Sequence, residues 1–274
     1  MTDYYWLGTD SSNPTHWNVN ANWSLSSGGS PASDHPRTNA DKAIFDTGSN
    51  VSSMNISGGT GVVGNVTTTS GYSGTITQAY NFTIDDAGAH DGGLVIGGGT
   101  WNSNGSALTV DSNISGNGTF TVGASTVTCT GQTTVATFNI TTGTYNYFDD
   151  FRPTTANITD NATFNQTSTG GQFGGRVIIG SGKTPTFNAV GRLHNTLDIR
   201  SGEQGNSTFN LDLSEPQDGP PRALYFYNLE LDSQGTENNL FTMKGAITCT
   251  GNLTITDGQI NTESGVNHAL TVTG

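Results

Sequence analysis

Charged side chains are the scarcest commodity in this chain. They make up 11% of its 274 residues, against about 25% in an ordinary soluble domain. Basic residues are rarer still: nine Lys and Arg face 22 Asp and Glu, for a net charge of −13. Nucleic acid is excluded as a partner, because phosphate neutralisation needs clustered Lys and Arg, and so is an anionic membrane surface. No stretch approaches the roughly 18 apolar residues of a membrane span, so no membrane insertion is expected. The opening Met1-Thr2-Asp3-Tyr4-Tyr5-Trp6 has neither a basic n-region nor an apolar h-region, so no secretory signal peptide is expected. Helical periodicity is missing too: no run of 10–12 residues places apolar side chains at i, i+3, i+4 and i+7, and good helix formers are few. Disorder does not follow from this list, since it requires low hydrophobicity together with dense charge, and here 32% of residues are hydrophobic.

Alternation is what the chain has in quantity. Ile247, Cys249, Gly251, Leu253 and Ile255 share one parity, and Thr248, Thr250, Asn252 and Thr254 share the other. Period two means a strand with one buried and one wet face. Threonine suits the wet face because its β-branch favours extended backbone while its hydroxyl meets water. The pattern recurs at Phe82/Ile84, Leu94/Ile96, Leu108/Val110, Phe120/Val122, Phe138/Ile140, Phe209/Leu211/Leu213 and Leu229/Leu231, with Gly, Asn and Asp in the gaps. These residues tolerate the left-handed conformations of tight turns.

The chain also repeats itself. Val127-Thr128-Cys129-Thr130-Gly131 returns as Ile247-Thr248-Cys249-Thr250-Gly251, 120 residues later, and Ala107-Leu108-Thr109-Val110 returns as Ala269-Leu270-Thr271-Val272. Loose repeats in strand-like pieces point to stacked units. Leu229 and Leu253 lie 24 residues apart in matching phrases, which sets an expected rung length and makes the 120-residue echo five rungs. Cys129 and Cys249 would then occupy equivalent sites separated by several rungs of about 4.8 Å, beyond the roughly 7 Å limit for bridging. They are expected to be two small buried apolar side chains.

Among all-β architectures a solenoid, a β-sandwich and a barrel compete. Very short strands and a Thr/Asn/Gly vocabulary favour the first, as a right-handed parallel β-helix, with the β-sandwich as the alternative. Residues 1–48 hold three of the four tryptophans, Trp6, Trp17 and Trp23, and lack the repeat grammar. They are expected to cap the open end of a solenoid spanning 49–274. The Pro-rich segment 214–222 is expected to break the ladder, since proline donates no hydrogen bond.

Trp6-Leu7-Gly8, Trp17, Asn22-Trp23-Ser24, Gly28-Gly29, Pro31 and Asp41-Lys42-Ala43-Ile44-Phe45-Asp46 form an opening that resembles β-helix repeat proteins of bacteriophage virions and bacterial surfaces. The phrases from Asn252 to Thr262 and from His268 to Gly274 are similar to the rung repeats of those proteins. The resemblance covers most of the chain and implies a structural or attachment role: a capsid-decorating, fibre or tail protein, or the passenger of an adhesin. It also implies assembly into homo-oligomers, with a trimer as the expected state.

The chemistry-bearing residues form no constellation in the sequence. Asp85-Asp86 and Asp149-Asp150 are adjacent pairs, but neighbours on a strand point to opposite faces, so each reads as a turn. His16, His35, His90, His194 and His268 lack zinc-ligand spacing. Gly97-Gly98-Gly99 is followed by neither Lys-Ser/Thr nor a helix, so it is a turn and no phosphate loop. The many Asn-x-Ser/Thr triplets follow from composition. Tyr145 and Tyr147, with Tyr225 and Tyr227, are the candidate contact residues. Alternation puts Tyr145 and Tyr147 on one face and Phe148 on the other; exposed, such tyrosines would serve an oligomer interface or stack on a glycan, and inward they would stack between rungs.

The expectation is therefore a non-enzymatic virion structural protein with no catalytic residue, cofactor or metal ligand. It would be made in the host cytoplasm and located in the virion, with its own copies, other virion proteins and a host-surface glycan as partners. The alternatives are a bacterial surface adhesin or surface-layer protein and, second, a β-helix polysaccharide depolymerase.

Overall fold

The structure, a computed structural model, describes residues 2–49, 53–56, 61–86, 93–167, 172–180, 183, 185–188, 192–193, 198–201, 209–211, 224–226, 229–233, 240–243, 246–249, 252–257, 259–262 and 268–273. These residues form an all-β parallel solenoid, not a sandwich. A single 3-10 turn, Asn20–Asn22, is the only helical element among them. The chain divides into two compact units, Met1–Phe138 and Asn139–Gly274.

In the first unit three ranks of parallel strands stack. One contains Thr2–Trp6, Asp41–Phe45, Asn65–Thr68, Leu94–Ile96 and the start of Ile114–Val122. A second contains Ser53–Ile56, Thr75–Gln78, Thr100–Asn102 and the end of Ile114–Val122. The third contains Gly61–Val63, Phe82–Asp85, Leu108–Asp111 and Thr126–Cys129. The alternation in the sequence becomes an inside and an outside. Leu108 and Val110 are buried while Thr109 and Asp111 are exposed, and likewise Ile76 is buried between half-exposed Thr75 and Thr77. Each inward side chain lands on its counterpart in the next coil, as Phe82, Leu108 and Val127 do in register. Burying one such side chain contributes about 1.5–3 kcal/mol.

Ile114–Val122 serves two ranks, so it must bend, and the bend falls at Gly116 with φ 117°. A Cβ there would run into the Ile96 carbonyl of the coil below, so only glycine fits.

In the second unit one rank runs Thr155–Ile158, Arg176–Ile179, Asp198–Ser201, Leu229–Ser233, Leu253–Asp257. Another runs Thr144–Tyr147, Thr163–Gln166, Thr186–Asn188, Phe209–Leu211, Leu240–Met243, Gln259–Asn261. A third joins Leu224–Phe226, Ile247–Cys249 and Leu270–Val272. Leu229 is the register partner of Leu253, so the 24-residue rung holds there. It is not constant. Thr144 meets Thr163, 19 residues on, while Asp198 meets Glu230, 32 residues on. The Pro-rich segment 214–222 falls inside that 32-residue interval and lies outside the described residues.

The sequence echoes have a different cause from the one expected. Thr126–Cys129 and Ile247–Cys249 belong to different sheets, so Cys129 and Cys249 are not equivalent sites a whole number of rungs apart. What repeats is a stacking pair. Leu108, Thr109 and Val110 lie in register with Val127, Thr128 and Cys129. Leu270, Thr271 and Val272 lie in register with Ile247, Thr248 and Cys249. The two phrases are neighbours in both places, with their order along the chain reversed. Both cysteines are buried.

The N-terminal segment carries an aromatic cluster. Trp6, Trp17 and Trp23 are 1%, 4% and 0% exposed. Trp23 lies edge-on to Trp6 at 4.9 Å and to Trp17 at 4.7 Å, and Trp17 reaches Phe82 of the stack at 5.0 Å. Burying an indole leaves its N–H needing an acceptor. Trp23 Nε1 donates to Trp17 O at 2.6 Å and Trp17 Nε1 to Pro36 O at 2.8 Å. Buried Asn22 ties the loops beneath: its Nδ2 donates to Asn13 O at 2.7 Å and His16 O at 3.0 Å, and its Oδ1 accepts from Asp10 N at 2.9 Å. The sheet edge is closed by Trp23–Ser24, antiparallel to Thr2–Trp6, and by a bridge from Ser24 to Pro31. Proline and antiparallel closure both blunt an edge that would otherwise recruit another strand.

Candidate functional site

Tyr145 and Tyr147 are core residues, not surface ones. They are 0% and 1% exposed, so neither can touch a glycan or a second chain, and the exposed-contact expectation for them is corrected. Their shared parity was read correctly, and of the two sides left open the structure takes the inward one, stacked between coils: Phe148 is the residue left 51% exposed. The rings of Tyr145 and Tyr147 pack on Phe151 at 5.5 and 5.6 Å. The Tyr147 hydroxyl donates a long bond of 3.5 Å to Gln166 Oε1, and burial pushes its phenol far above the usual tyrosine range. Tyr225 occupies the strand Leu224–Phe226 opposite Thr248. Tyr227 lies outside the described residues.

The cause of the inward tyrosines is a triplet that alternation alone does not single out. Thr-aromatic-Asn occurs at Thr100-Trp101-Asn102, Thr137-Phe138-Asn139, Thr144-Tyr145-Asn146, Thr163-Phe164-Asn165, Thr186-Phe187-Asn188 and Thr208-Phe209-Asn210. Trp101, Phe138, Tyr145 and Phe164 are each buried to 1% exposure or less. The flanking Thr and Asn face outward, where asparagines from successive coils bond side by side. Asn165 Nδ2 donates to Asn146 Oδ1 at 2.8 Å, and Asn157 Nδ2 to Asn139 Oδ1 at 2.8 Å. Amide ladders of this kind add cross-strand hydrogen bonds to a parallel stack.

The adjacent carboxylate pairs stay apart in role. Asp150 is buried and accepts from Arg152 Nη2 at 2.7 Å, a structural ion pair at a corner, while Asp149 is half-exposed. A pairing that sequence reading missed is Asp85 with Asp111. They are register partners on adjacent coils of one rank, at the ends of Phe82-Thr83-Ile84-Asp85 and Leu108-Thr109-Val110-Asp111. The signal was present, since both tetrapeptides read apolar-Thr-apolar-Asp. Asp111 Oδ1 also accepts from the Thr130 hydroxyl at 2.8 Å.

Elsewhere the titratable groups hold loops. Asp160 lies below the usual carboxylate range because Lys183 Nζ, at 2.9 Å, and the Asn161 amide both donate to it. His35 lies below its ordinary value because its ring is partly desolvated, with Asp34 opposing the effect; its Nδ1 sits 2.7 Å from Asn20 Oδ1. Among the described residues no group of three or more His, Cys, Asp or Glu is placed to hold a metal ion, and no helix is long and apolar enough to cross a membrane. His90 and His194 lie outside the described residues.

Among the described residues these side chains define a surface: outward ranks of hydroxyl and amide side chains over an aromatic core. Compared with protein-family models, curated proteins and solved structures, the chain matches none.

Proposed function

We propose that this protein is a structural component of a bacteriophage virion, a capsid decoration, fibre or tail element that works by assembly and surface attachment. The observation that carries the reading is how the outward polar side chains are used. Asn139, Asn146, Asn157 and Asn165 bond one coil to the next, so the outer face is part of the scaffold. A stack held on its inner face by aromatics and on its outer face by amide ladders suits a protein selected for rigidity outside the cell. The sparse charge and the resemblance of the Trp-rich opening to virion β-helix proteins point the same way. Its partners on this reading are other virion proteins and further copies of itself. Proteomic analysis of gradient-purified particles tests it: the chain should co-purify with the particles at a fixed ratio to the major capsid protein. Recovery only in the cell-envelope fraction would favour a bacterial adhesin instead.

One observation favours a second reading, a polysaccharide depolymerase. Asp85 and Asp111 share a face on adjacent coils. A strand spacing of about 4.8 Å puts two carboxylates near the roughly 5–5.5 Å separation of a retaining glycosidase pair. Asp85→Asn and Asp111→Asn variants assayed on host polysaccharide decide it. Cleavage lost in both supports the enzyme, and no cleavage of any host glycan by the unsubstituted protein removes it.

A further inference from the structure

The chain contains two Asn-Gly pairs, Asn104-Gly105 and Asn117-Gly118, and the fold treats them oppositely. We propose that Asn104 is a self-modification site, which loses its side-chain amide by intramolecular attack of the Gly105 nitrogen, while Asn117 is protected.

The reaction needs only solvent. The Gly105 backbone nitrogen gives its proton to a solvent base and attacks Asn104 Cγ. The new N–Cγ bond closes a succinimide ring, the Cγ–Nδ2 bond breaks, and the amide leaves as ammonia. Water then opens the ring. Cleavage of the N–Cγ bond gives aspartate, and cleavage of the bond to the main-chain carbonyl carbon gives isoaspartate. A water enters, an ammonia leaves, and no redox partner is required.

Asn104 meets the conditions for this step. Ser103 to Ser106 form a tight turn closed by Ser106 N donating to Ser103 O at 2.9 Å. Asn104 at φ 44° and Gly105 at φ 86° supply its two left-handed positions, the type I′ pattern that favours Asn-Gly. Asn104 is the only non-glycine with positive φ among the described residues. Both residues are exposed. A Cβ added at Gly105 would meet nothing within 4 Å, so the peptide has room to swing toward Cγ. The Gly105 N–H makes no hydrogen bond among the described residues.

Asn117-Gly118 lies inside the strand Ile114–Val122, which pairs with two neighbours. A Cβ at Gly118 would sit 2.5 Å from Ile96 Cγ2 and 2.8 Å from Gly99 O. The next amide, Thr119 N, donates to Gly99 O at 3.0 Å. Bringing the Gly118 nitrogen onto Asn117 Cγ would tear this part of the ladder.

The consequence is directional. Isoaspartate inserts an extra main-chain carbon into a turn that feeds the strand Leu108–Asp111, and either product adds a negative charge to a chain already at −13. Of the two Asn-Gly pairs, aged protein should accumulate the change at this corner.

The test is incubation of folded protein in mildly alkaline buffer, followed by peptide mapping and isoaspartyl methyltransferase labelling. Asn104 should convert on the order of tenfold faster than Asn117, or more, the factor made by a barrier difference of about 1.4 kcal/mol. In concentrated urea the two rates should converge. Equal native rates, faster conversion at Asn117, or a ratio that persists in urea would each overturn the proposal, the last by tracing the difference to local sequence. Asn104→Gly keeps both left-handed positions and should abolish labelling at this corner without loss of stability. Labelling that survives there would refute the assignment.

Discussion

Replacing Trp23 by alanine tests the cap most sharply. The side chain is fully buried. It touches the rings of Trp6 at 4.9 Å, Trp17 at 4.7 Å and Phe45 at 5.7 Å, and its Nε1 donates to Trp17 O at 2.6 Å. Core Trp→Ala changes cost about 3–5 kcal/mol. The orphaned Trp17 carbonyl and the lost edge-on contacts, about 0.5–1.5 kcal/mol each, argue for the upper half of that range. For a unit of this size each kcal/mol lowers the melting temperature by roughly 2–4 °C, so a fall on the order of 10 °C or more is expected. Because the cap also blunts the strand edge beneath it, the variant should bind a hydrophobic dye and aggregate beyond the parent's own state of assembly. Urea unfolding followed by tryptophan fluorescence and far-ultraviolet circular dichroism reads the first effect, and light scattering the second. Leu25→Ala, at a residue 63% exposed on the same segment, is the control, expected within about 0.5 kcal/mol. A Trp23→Ala protein as stable and as monodisperse as the Leu25→Ala control would refute the cap.

Three other outcomes follow from particular residues. Gly116→Ala should destabilise the first unit by more than about 1 kcal/mol, because φ is 117° and the Ile96 carbonyl blocks the new methyl group; an unchanged urea midpoint would count against the bend. His35 has a folded pKa below its ordinary value of 6.5, so the unfolded chain binds the proton more readily. The corresponding stability is complete above pH 6.5 and is lost as the pH falls from there through the folded value. His35→Gln should flatten that part of the stability profile, and an unaltered slope would show the ring uninvolved. Cys129 and Cys249 are buried, so both thiols should resist an aromatic disulfide reagent in the native state and react in denaturant. Prompt native labelling of either would contradict its burial.

Period-two patterning and the tryptophan-dense opening were legible in the sequence, because both depend on local composition. The 24-residue rung was legible at Leu229 and Leu253, where the two phrases stack directly. Register elsewhere was not, because coil length is set by corners of varying size, which separate register partners by 19 residues at Thr144 and Thr163, 32 at Asp198 and Glu230, and 39 at Thr2 and Asp41. That is why the cysteine echo looked like a displacement of whole rungs when it marks a repeated stacking pair. The sidedness of Tyr145 and Tyr147 stayed open in the sequence for a related reason. Parity says which residues share a face, and only a comparison of the triplets around Trp101, Phe138 and Phe164 says that the aromatic goes in. The Asp85–Asp111 pairing needed register as well, although the matching tetrapeptides announced it.

The functional proposal stands or falls on where the protein is found. Immunogold electron microscopy of virion and cell-envelope fractions, with an antibody raised against this chain, measures that directly. The account predicts regularly spaced gold on phage particles, at the head or the tail according to the element it builds. Gold confined to bacterial surfaces, with bare particles, would contradict it.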